Sequence, residues 1–271
     1  TFERVMRGVK LLQDHAVEFN ILATVNRYNA EEPLAFYHFL KSIGNPYIQF
    51  APIVERLRTG AERHAFVEAP FITERPEGRL LHDGADVSMA PYSILPEQWG
   101  YFTTTIFDEW VRTDVGRVFI QLFDATLATW MGVPPGVCLF LPECGHAAAL
   151  EHNGDLYSCD HFVYPRYRLG NVAETPLREL MDRPEQITFG KAKRQGLTEQ
   201  CKECEFLFAC WGECPKNRFA YSSTGEPGHN YLCRGYYQFW SHVAPYMDYM
   251  KACLMQGLPP AQVMHWVASQ D

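Results

Sequence analysis

Four cysteines stand within eighteen residues of this chain, which restricts the local fold to one that brings four thiols close together. The segment reads CKECEFLFACWGECPKNR and has two, five and three residues between successive cysteines. The nine cysteines of the chain are Cys138, Cys144, Cys159, Cys201, Cys204, Cys210, Cys214, Cys233 and Cys253. Thiolates are soft ligands that suit zinc, copper(I) and iron–sulfur clusters. Because eight of the nine lie in one turn-rich stretch, the sequence predicts two metal sites of four cysteines each.

The remaining composition favours metal ligation over disulfide bonding. The sequence shows no secretory signal pattern and its cysteine count is odd, so a disulfide framework is disfavoured. A formal net charge of −8 disfavours a nucleic-acid-binding protein. The longest uncharged stretch, residues 125–142, contains GVPPG, and these helix breakers argue against a membrane span. We therefore expect a cytoplasmic protein that binds neither nucleic acid nor membrane.

The first half of the chain alternates between helical and strand patterns. The segments EFNILATVN and YIQFAPIVE predict strands, the first of them buried, and AEEPLAFYHFLKSIG between them predicts a helix. This alternation predicts βα units around a parallel sheet. A helix is predicted over PEQWGYFTTTIFDEWVRTD, then a strand and a short helix over RVFIQLFDATLATWMG. Residues 56–95 show no clear period, and we expect a long loop over a site.

The second half changes character near Gly132, beyond which cysteine and turn residues are frequent. AAALEHNGDLYSC predicts a β-hairpin around Asn153 and Gly154, and NVAETPLREL predicts a short helix. A long helix is predicted from Gly235 to Leu254. We interpret its apolar face as core packing. That face consists of Tyr236, Phe239, Trp240, Val243, Met247 and Met250.

Spacing alone leaves the metal open between zinc and iron–sulfur. Structural zinc commonly joins two CxxC pairs about fifteen to twenty residues apart, whereas this chain has a single CxxC pair, Cys201 and Cys204. Cubane clusters take thiolates from short irregular loops of this kind, so the spacing favours iron–sulfur. Ligand type suits both metals, and a zinc site stays open at this point.

The cysteine pattern resembles the SPASM domain, a C-terminal extension of some radical S-adenosylmethionine enzymes. The pattern C-x9-G-x4-C, then C-x2-C-x5-C-x3-C, then a last cysteine, is matched by Cys144, Gly154, Cys159, Cys201, Cys204, Cys210, Cys214 and Cys233. An eighth cysteine at Cys138 and the segment CDHFVYPRYRLGNV further resemble the anaerobic sulfatase-maturating enzymes. The resemblance extends upstream through VEFNILATVN and YIQFAPIVE to Thr1.

The resemblance implies an α/β fold in two parts. Residues 1–130 would be the C-terminal part of a partial (β/α)6 radical S-adenosylmethionine barrel. Residues 131–271 would be a small α+β, cysteine-rich SPASM domain with a β-hairpin and C-terminal helices. The implied function is the oxidation of a Cys or Ser of a sulfatase polypeptide to formylglycine. It would require S-adenosylmethionine, a catalytic [4Fe–4S] cluster, two auxiliary [4Fe–4S] clusters and an electron donor such as flavodoxin or ferredoxin.

The resemblance also divides the eight cysteines into two ligand sets. The first set would hold one auxiliary cluster and consists of Cys138, Cys144, Cys159 and Cys214. The second set would hold the other and consists of Cys201, Cys204, Cys210 and Cys233. The tight run of four cysteines from Cys201 to Cys214 is thus split, with three thiols for one cluster and the fourth for the other. Cys253 has no place in the pattern, and on a predicted helix we interpret it as a buried residue.

Asp160, directly after Cys159, is the base implied by the resemblance. A general base must lie within hydrogen-bond reach of the proton that it removes. The alternative is that Asp160 caps the turn after the hairpin, where Asp is common. We interpret the nearby His146, His152 and His161 as bystanders or as groups that support the ligands, with His161 the best candidate for support.

Asn26 and Gln49 are predicted contacts for S-adenosylmethionine or the peptide. Asn26 ends one predicted strand and Gln49 lies within the next. Active sites of parallel barrels collect at the C-terminal ends of the strands. Barrel packing or capping is the alternative for both residues. The segment from Glu55 to Pro96 is predicted to line the peptide cleft.

The chain departs from the family in its N-terminal part. The CxxxCxxC motif that holds the catalytic cluster is missing from the sequence, as is the glycine-rich segment that meets the S-adenosylmethionine amino group. We therefore expect a piece of a longer protein that does not cleave S-adenosylmethionine alone. Two other hypotheses remain, a SPASM enzyme that modifies another peptide and a zinc-stabilised binding module.

Overall fold

The computed structural model describes residues 1–58 and 87–270. The described helices are α1 (Phe2–Asp14), α2 (Pro33–Ser42), α3 (Pro96–Thr113), α4 (Gln121–Trp130), α5 (Leu177–Met181), α6 (Pro184–Gln195), α7 (Glu199–Lys202), α8 (Leu207–Cys210), α9 (Cys233–Met255) and α10 (Gln262–Ala268). The described strands are β1 (Ile21–Val25), β2 (Tyr47–Pro52), β3 (Arg56–Arg58), β4 (Val87–Met89), β5 (Phe119–Ile120), β6 (Ala149–Leu150), β7 (Asp155–Tyr157), β8 (Arg168–Asn171), β9 (Ala220–Tyr221) and β10 (Pro227–His229). Within these ranges, none of the helices combines the length and the apolar character that a membrane crossing requires.

A parallel sheet in the order β1-β2-β5 forms the first layer, as the alternating pattern predicts. Side chains alternate between its faces because a strand has a period of two. Ile48 and Phe50 of β2 are buried beneath the helices. The opposite face is open, and Leu22 of β1 is 63% exposed there. The prediction of a buried β1 is therefore wrong for one face, since no described element covers it.

The predicted loop over residues 56–95 is wrong at its described ends. There β3 and β4 pair antiparallel, with Leu57 opposite Ser88. Residues 59–86, part of the predicted lining of the peptide cleft, lie outside the described residues. Further along, the predicted helix over NVAETPLREL is confirmed only in its last part, as the short α5. The strand β8 and the helix α6 were not predicted from the sequence.

The helices α3 and α9 cross in the centre of the core. Phe107 of α3 packs edge-on against Phe239 of α9, and Trp99 packs edge-on against Tyr236. All six residues of the predicted apolar face of α9 are buried, which confirms its interpretation as core, and Cys253 is buried as well. The main cluster of buried side chains runs from β1 to α10. The domain boundary between residues 130 and 131 stays a prediction, since this core crosses it.

Gly235 permits the close approach of α9 to α3. A Cβ at this position would lie 2.2 Å from the Pro96 carbonyl oxygen. We expect Gly235→Ala to lower the free energy of unfolding by about 1–3 kcal/mol, because packed backbone must move to admit the methyl group.

The matched control is Gly8→Ala in α1, where a Cβ would meet nothing within 4 Å. It should stabilise the helix by about 0.5–1 kcal/mol. Urea unfolding of both variants checks this, and a G235A variant as stable as the parent would contradict it.

Candidate functional site

The second cysteine set surrounds one cavity of about 650 Å³. All four of its thiols line that cavity, although they come from separate elements. Cys201 lies in α7, Cys210 ends α8, and Cys233 begins α9. Thr198 caps α7, and its side chain accepts a hydrogen bond from the Cys201 amide. A short capped helix, a short turn and the start of a long helix thus bring the four thiols to one space.

The hairpin that precedes Cys159 forms as its Asn-Gly pair predicts. Gly154 adopts φ +86°, which favours glycine, and β6 and β7 pair antiparallel. β8 adds a third antiparallel strand. Asp155 fastens the sheet by accepting hydrogen bonds from Arg168 at 2.5 Å and from Asn171 at 3.0 Å. The Arg168 hydrogen bond, with that of Asn171, lowers the pKa of Asp155 to about 2. Cys159 therefore follows a strand that these hydrogen bonds hold in place.

The first set gathers around the hairpin end and α6. Cys138 opens a 3-10 turn, Cys138–Phe140, and the Cys144 amide donates a hydrogen bond to the Gly190 carbonyl of α6 at 3.0 Å. Burial raises the pKa of Cys144 and of Cys159, and the charge of Cys138 adds to both shifts. Burial also raises the pKa of Cys214, and Cys144 and Cys159 contribute to that rise. Each of these pKa shifts thus includes the charge of another thiol of the first set.

Burial of the thiols governs their protonation. It raises the pKa of Cys159 and of Cys233 to about 12, and it raises the pKa of Cys210 further. Such thiols keep their protons near neutral pH. Because metal ligands must be thiolates, metal binding here has to release protons.

The four thiols that line the cavity of the second set fit a group larger than one metal ion. Four thiols around about 650 Å³ leave far more room than a single zinc ion, whose Zn–S bonds measure about 2.3 Å, would require. All-thiol ligation around a wide space suits a polynuclear iron–sulfur cluster.

His229 is a site residue that the sequence did not reveal. It is 5% exposed and lines the cavity of the second set. Its Nδ1 lies 3.0 Å from Thr198 Oγ1 and 3.6 Å from Cys201 Sγ. Burial lowers the pKa of His229, which favours the neutral ring. Four residues before Cys233 in the sequence, it carries no spacing signal that would single it out.

The three histidines that the sequence singled out are exposed. His146, His152 and His161 all present their side chains to solvent. The backbone of His161 is nevertheless close to a predicted ligand, since its hydrogen bond with Cys159 offsets part of the rise in the pKa of that thiol. Support from the His161 side chain therefore stays a prediction, whereas His229 supports Cys201 directly.

Asp160 is exposed at the start of a 3-10 turn, Asp160–Phe162, directly after the hairpin. Its Oδ1 accepts a hydrogen bond from the Cys159 thiol at 3.1 Å. Phe162 anchors the turn, because it is 1% exposed and packs edge-on against Tyr167 and Phe189. The N-cap of this turn is Cys159, not Asp160. An anchored turn thus presents an accessible carboxylate beside a predicted cluster ligand.

The C-terminal end of β2 contacts the cysteine-rich region. Lys216 forms an ion pair with Glu55 at 3.4 Å, just after β2. The Arg56 guanidinium lies 4.4 Å from the centre of the Phe219 ring. Burial lowers the pKa of Arg56 to about 10, and the nearby Tyr164 opposes that shift. The residues that follow β2 therefore contact Lys216 and Phe219 of the cysteine-rich region.

Asn26 and Gln49 are not brought together. The Asn26 Oδ1 accepts hydrogen bonds from the Tyr28 and Asn29 amides at 2.9 and 3.1 Å, so it holds the turn after β1. Gln49 is the third residue of β2 and lines a separate cavity of about 300 Å³. That cavity also includes Asn20, Gln121 and Asp124. Contact of either residue with a cofactor stays a prediction.

Comparison with known proteins shows which proteins this chain resembles. Residues 142–205 match the SPASM family, an iron–sulfur cluster-binding domain. The serine-type anaerobic sulfatase-maturating enzyme of Bacteroides thetaiotaomicron is 54% identical over 267 residues, which are 97% of this chain and 61% of that protein. The chain is thus similar to anaerobic sulfatase-maturating enzymes along nearly its whole length. A serine-type member from Klebsiella aerogenes is 31% identical and matches 90% of this chain and 51% of its own length.

A solved structure of a family member confirms the predicted fold class. Native anSMEcpe with bound AdoMet and Cp18Cys peptide superimposes with a TM-score of 0.74 at 25% identity, over 94% of this chain and 63% of that one. The fold is therefore the C-terminal part of a radical S-adenosylmethionine barrel followed by a SPASM domain. The chain spans 61% and 51% of the two curated relatives, so it corresponds to part of a family member's length.

Proposed function

We propose that this chain is the part of an anaerobic sulfatase-maturating enzyme that holds two auxiliary [4Fe–4S] clusters and the catalytic base. The complete enzyme would oxidise a Cys or Ser of a sulfatase to formylglycine. The observation that carries the proposal is the cavity of about 650 Å³, because four thiols from separate structural elements line it together. The first set would hold one cluster and the second set the other.

A bound [4Fe–4S] cluster supplies a site that takes up and releases single electrons. The protein provides thiolates in two sets, and Cys214 ties the tight run back to the hairpin. Cys210 and Cys214 are separated by three residues but serve different sets. The turn between them therefore joins the two cluster sites through one short stretch of backbone.

Asp160 would accept the proton from the Cys or Ser side chain of the substrate. Its carboxylate is exposed, lies on an anchored turn and contacts Cys159 at 3.1 Å. Loss of a proton from the substrate makes the following loss of an electron easier. A base next to a ligand of the first cluster would remove the proton close to where the electron leaves.

S-adenosylmethionine and a third [4Fe–4S] cluster would be bound by the complete enzyme. Gln49 is a proposed contact from β2. Asn26 is a proposed contact through its amide group, because its carbonyl oxygen holds the turn after β1. The proposed partners are a sulfatase polypeptide as substrate and a flavodoxin or ferredoxin as electron donor, in the cytoplasm.

Metal and sulfide analysis of this chain, produced without oxygen, tests the proposal. We expect about eight irons and a matching amount of acid-labile sulfide per chain, because two four-iron clusters require them. About two zincs with no sulfide would contradict the proposal and favour a zinc-stabilised binding module. The control is the same chain after exposure to a chelator and oxygen, which should lose iron and sulfide together.

A further inference from the structure

The guanidinium of Arg218 is buried between the two cysteine sets. The residue is 3% exposed. Burial lowers the pKa of Arg218, and the charges of Cys201 and Cys210 of the second set and of Cys144 of the first oppose that shift. Arginine stays protonated in proteins, so this is a fixed positive charge in a poorly solvated place.

Arg218 is held there by the turn that joins the two sets. Its Nε donates to the Gly212 carbonyl at 2.9 Å, and its Nη2 donates to the carbonyls of Trp211 at 2.5 Å and Glu213 at 3.3 Å. These three consecutive residues adopt φ of +47°, +68° and +52°, so the turn follows a left-handed path around the guanidinium. Gly212 is required, since a Cβ there would lie 2.6 Å from Nη2. The backbone between Cys210 and Cys214 is thus built around this one cation.

The fourth hydrogen bond leads to another buried cation. Arg218 Nη1 donates to the Lys193 carbonyl at 2.6 Å. The Lys193 side chain is 0% exposed, and its Nζ donates to the carbonyls of Cys138 at 2.9 Å and Leu139 at 2.7 Å. Lys193 therefore lies on the side of the first set, whereas Arg218 faces both sets.

Backbone carbonyls solvate a buried cation but do not neutralise it, and an unpaired buried charge is costly. The Glu213 carboxylate is 2% exposed and accepts hydrogen bonds from Asn217 at 3.1 Å and Asn230 at 2.6 Å. One carboxylate does not balance two buried cations. The further negative charge at this place would come from the thiolates of the two cluster sites.

We propose that Arg218 raises the reduction potential of both auxiliary clusters. Each added electron increases the negative charge of a cluster, and a buried positive charge nearby stabilises that reduced form. A cation shared by two clusters would favour uptake of the electron from the substrate and its passage from one cluster to the other. Arg218 would thus act on the clusters through its charge, and this inference rests on the two-cluster proposal above.

Redox titration of three variants, followed by electron paramagnetic resonance, tests the inference in the anaerobic chain. In Arg218→Gln both clusters should titrate at lower potential. We expect at least a tenfold fall in each reduction equilibrium constant, about 59 mV for one electron. Arg218→Lys keeps the charge and should stay closer to the parent. The matched control is Arg194→Gln, whose side chain is 58% exposed and should leave both potentials unchanged.

The outcomes distinguish an effect of the Arg218 charge from an effect of its hydrogen bonds. Unchanged potentials in R218Q with about eight irons would overturn the inference, as would a shift of one cluster only. Equal shifts in R218Q and R218K would assign the effect to the lost hydrogen bonds and would also overturn it. If R218Q loses iron, R218K decides: parental potentials support the inference, and loss of iron overturns it. A parent chain without iron contradicts the proposed function itself, and this inference with it.

Discussion

Formylglycine formation is expected to fall about 10²–10⁴-fold when Asp160 is replaced by Asn in the complete enzyme, because an amide cannot accept the proton of the substrate thiol or hydroxyl. Both auxiliary clusters should assemble normally. The substitution preserves the shape of the side chain and its ability to accept the hydrogen bond from Cys159. Mass spectrometry of a sulfatase peptide gives the amount of formylglycine, and iron and sulfide analysis gives the cluster content.

Asp248→Asn is the matched control, because Asp248 is exposed on α9 and is part of neither cysteine set. It should retain parental turnover and iron content. Near-normal turnover of D160N would rule out Asp160 as the essential base. Loss of iron in D160N would instead assign the Asp160 carboxylate a structural role, namely support of the ligand Cys159.

The elements that the sequence predicted well are those with strong local signals. The Asn153-Gly154 pair produced the hairpin, and the apolar face of α9 became core. The cysteine pattern led to a resemblance that the similarity to known sulfatase-maturating enzymes supports. The hairpin signal and the helix signal each lie within about twenty residues of sequence, so local propensity and tertiary structure agree there.

The elements that the sequence missed depend on long-range partners. Charged residues such as Arg218 and Lys193 give no sequence signal for burial. Their burial depends on backbone carbonyls, among them those of Lys193 for Arg218 and of Cys138 for Lys193. His229 belongs to the site because β10 brings it to Cys201. The open face of β1 shows the same limit, since the pattern of a strand does not say which face a neighbouring element covers.

The division of the tight cysteine run leads to the most discriminating prediction. Spacing alone would group Cys214 with the three cysteines just before it. The resemblance instead assigns Cys214 to the first set. Burial raises the pKa of Cys214, and the charges of Glu213, Cys144 and Cys159 add to that rise. Cys214→Ala should therefore lower the iron content from about eight to about four per chain, because one four-iron cluster is lost. Cys253→Ala, a buried position outside both sets, should keep about eight.

Double variants decide which cluster is lost. If Cys214 belongs to the first set, adding Cys138→Ala to C214A removes a second ligand of the same cluster and should leave about four irons. Adding Cys204→Ala removes a ligand of the other cluster and should leave almost none. The opposite result, with iron retained in C204A/C214A and lost in C138A/C214A, would return Cys214 to the second set. Because both pairs remove two thiols, a general loss of stability cannot explain a difference between them, and the iron content reports only how the thiols are shared.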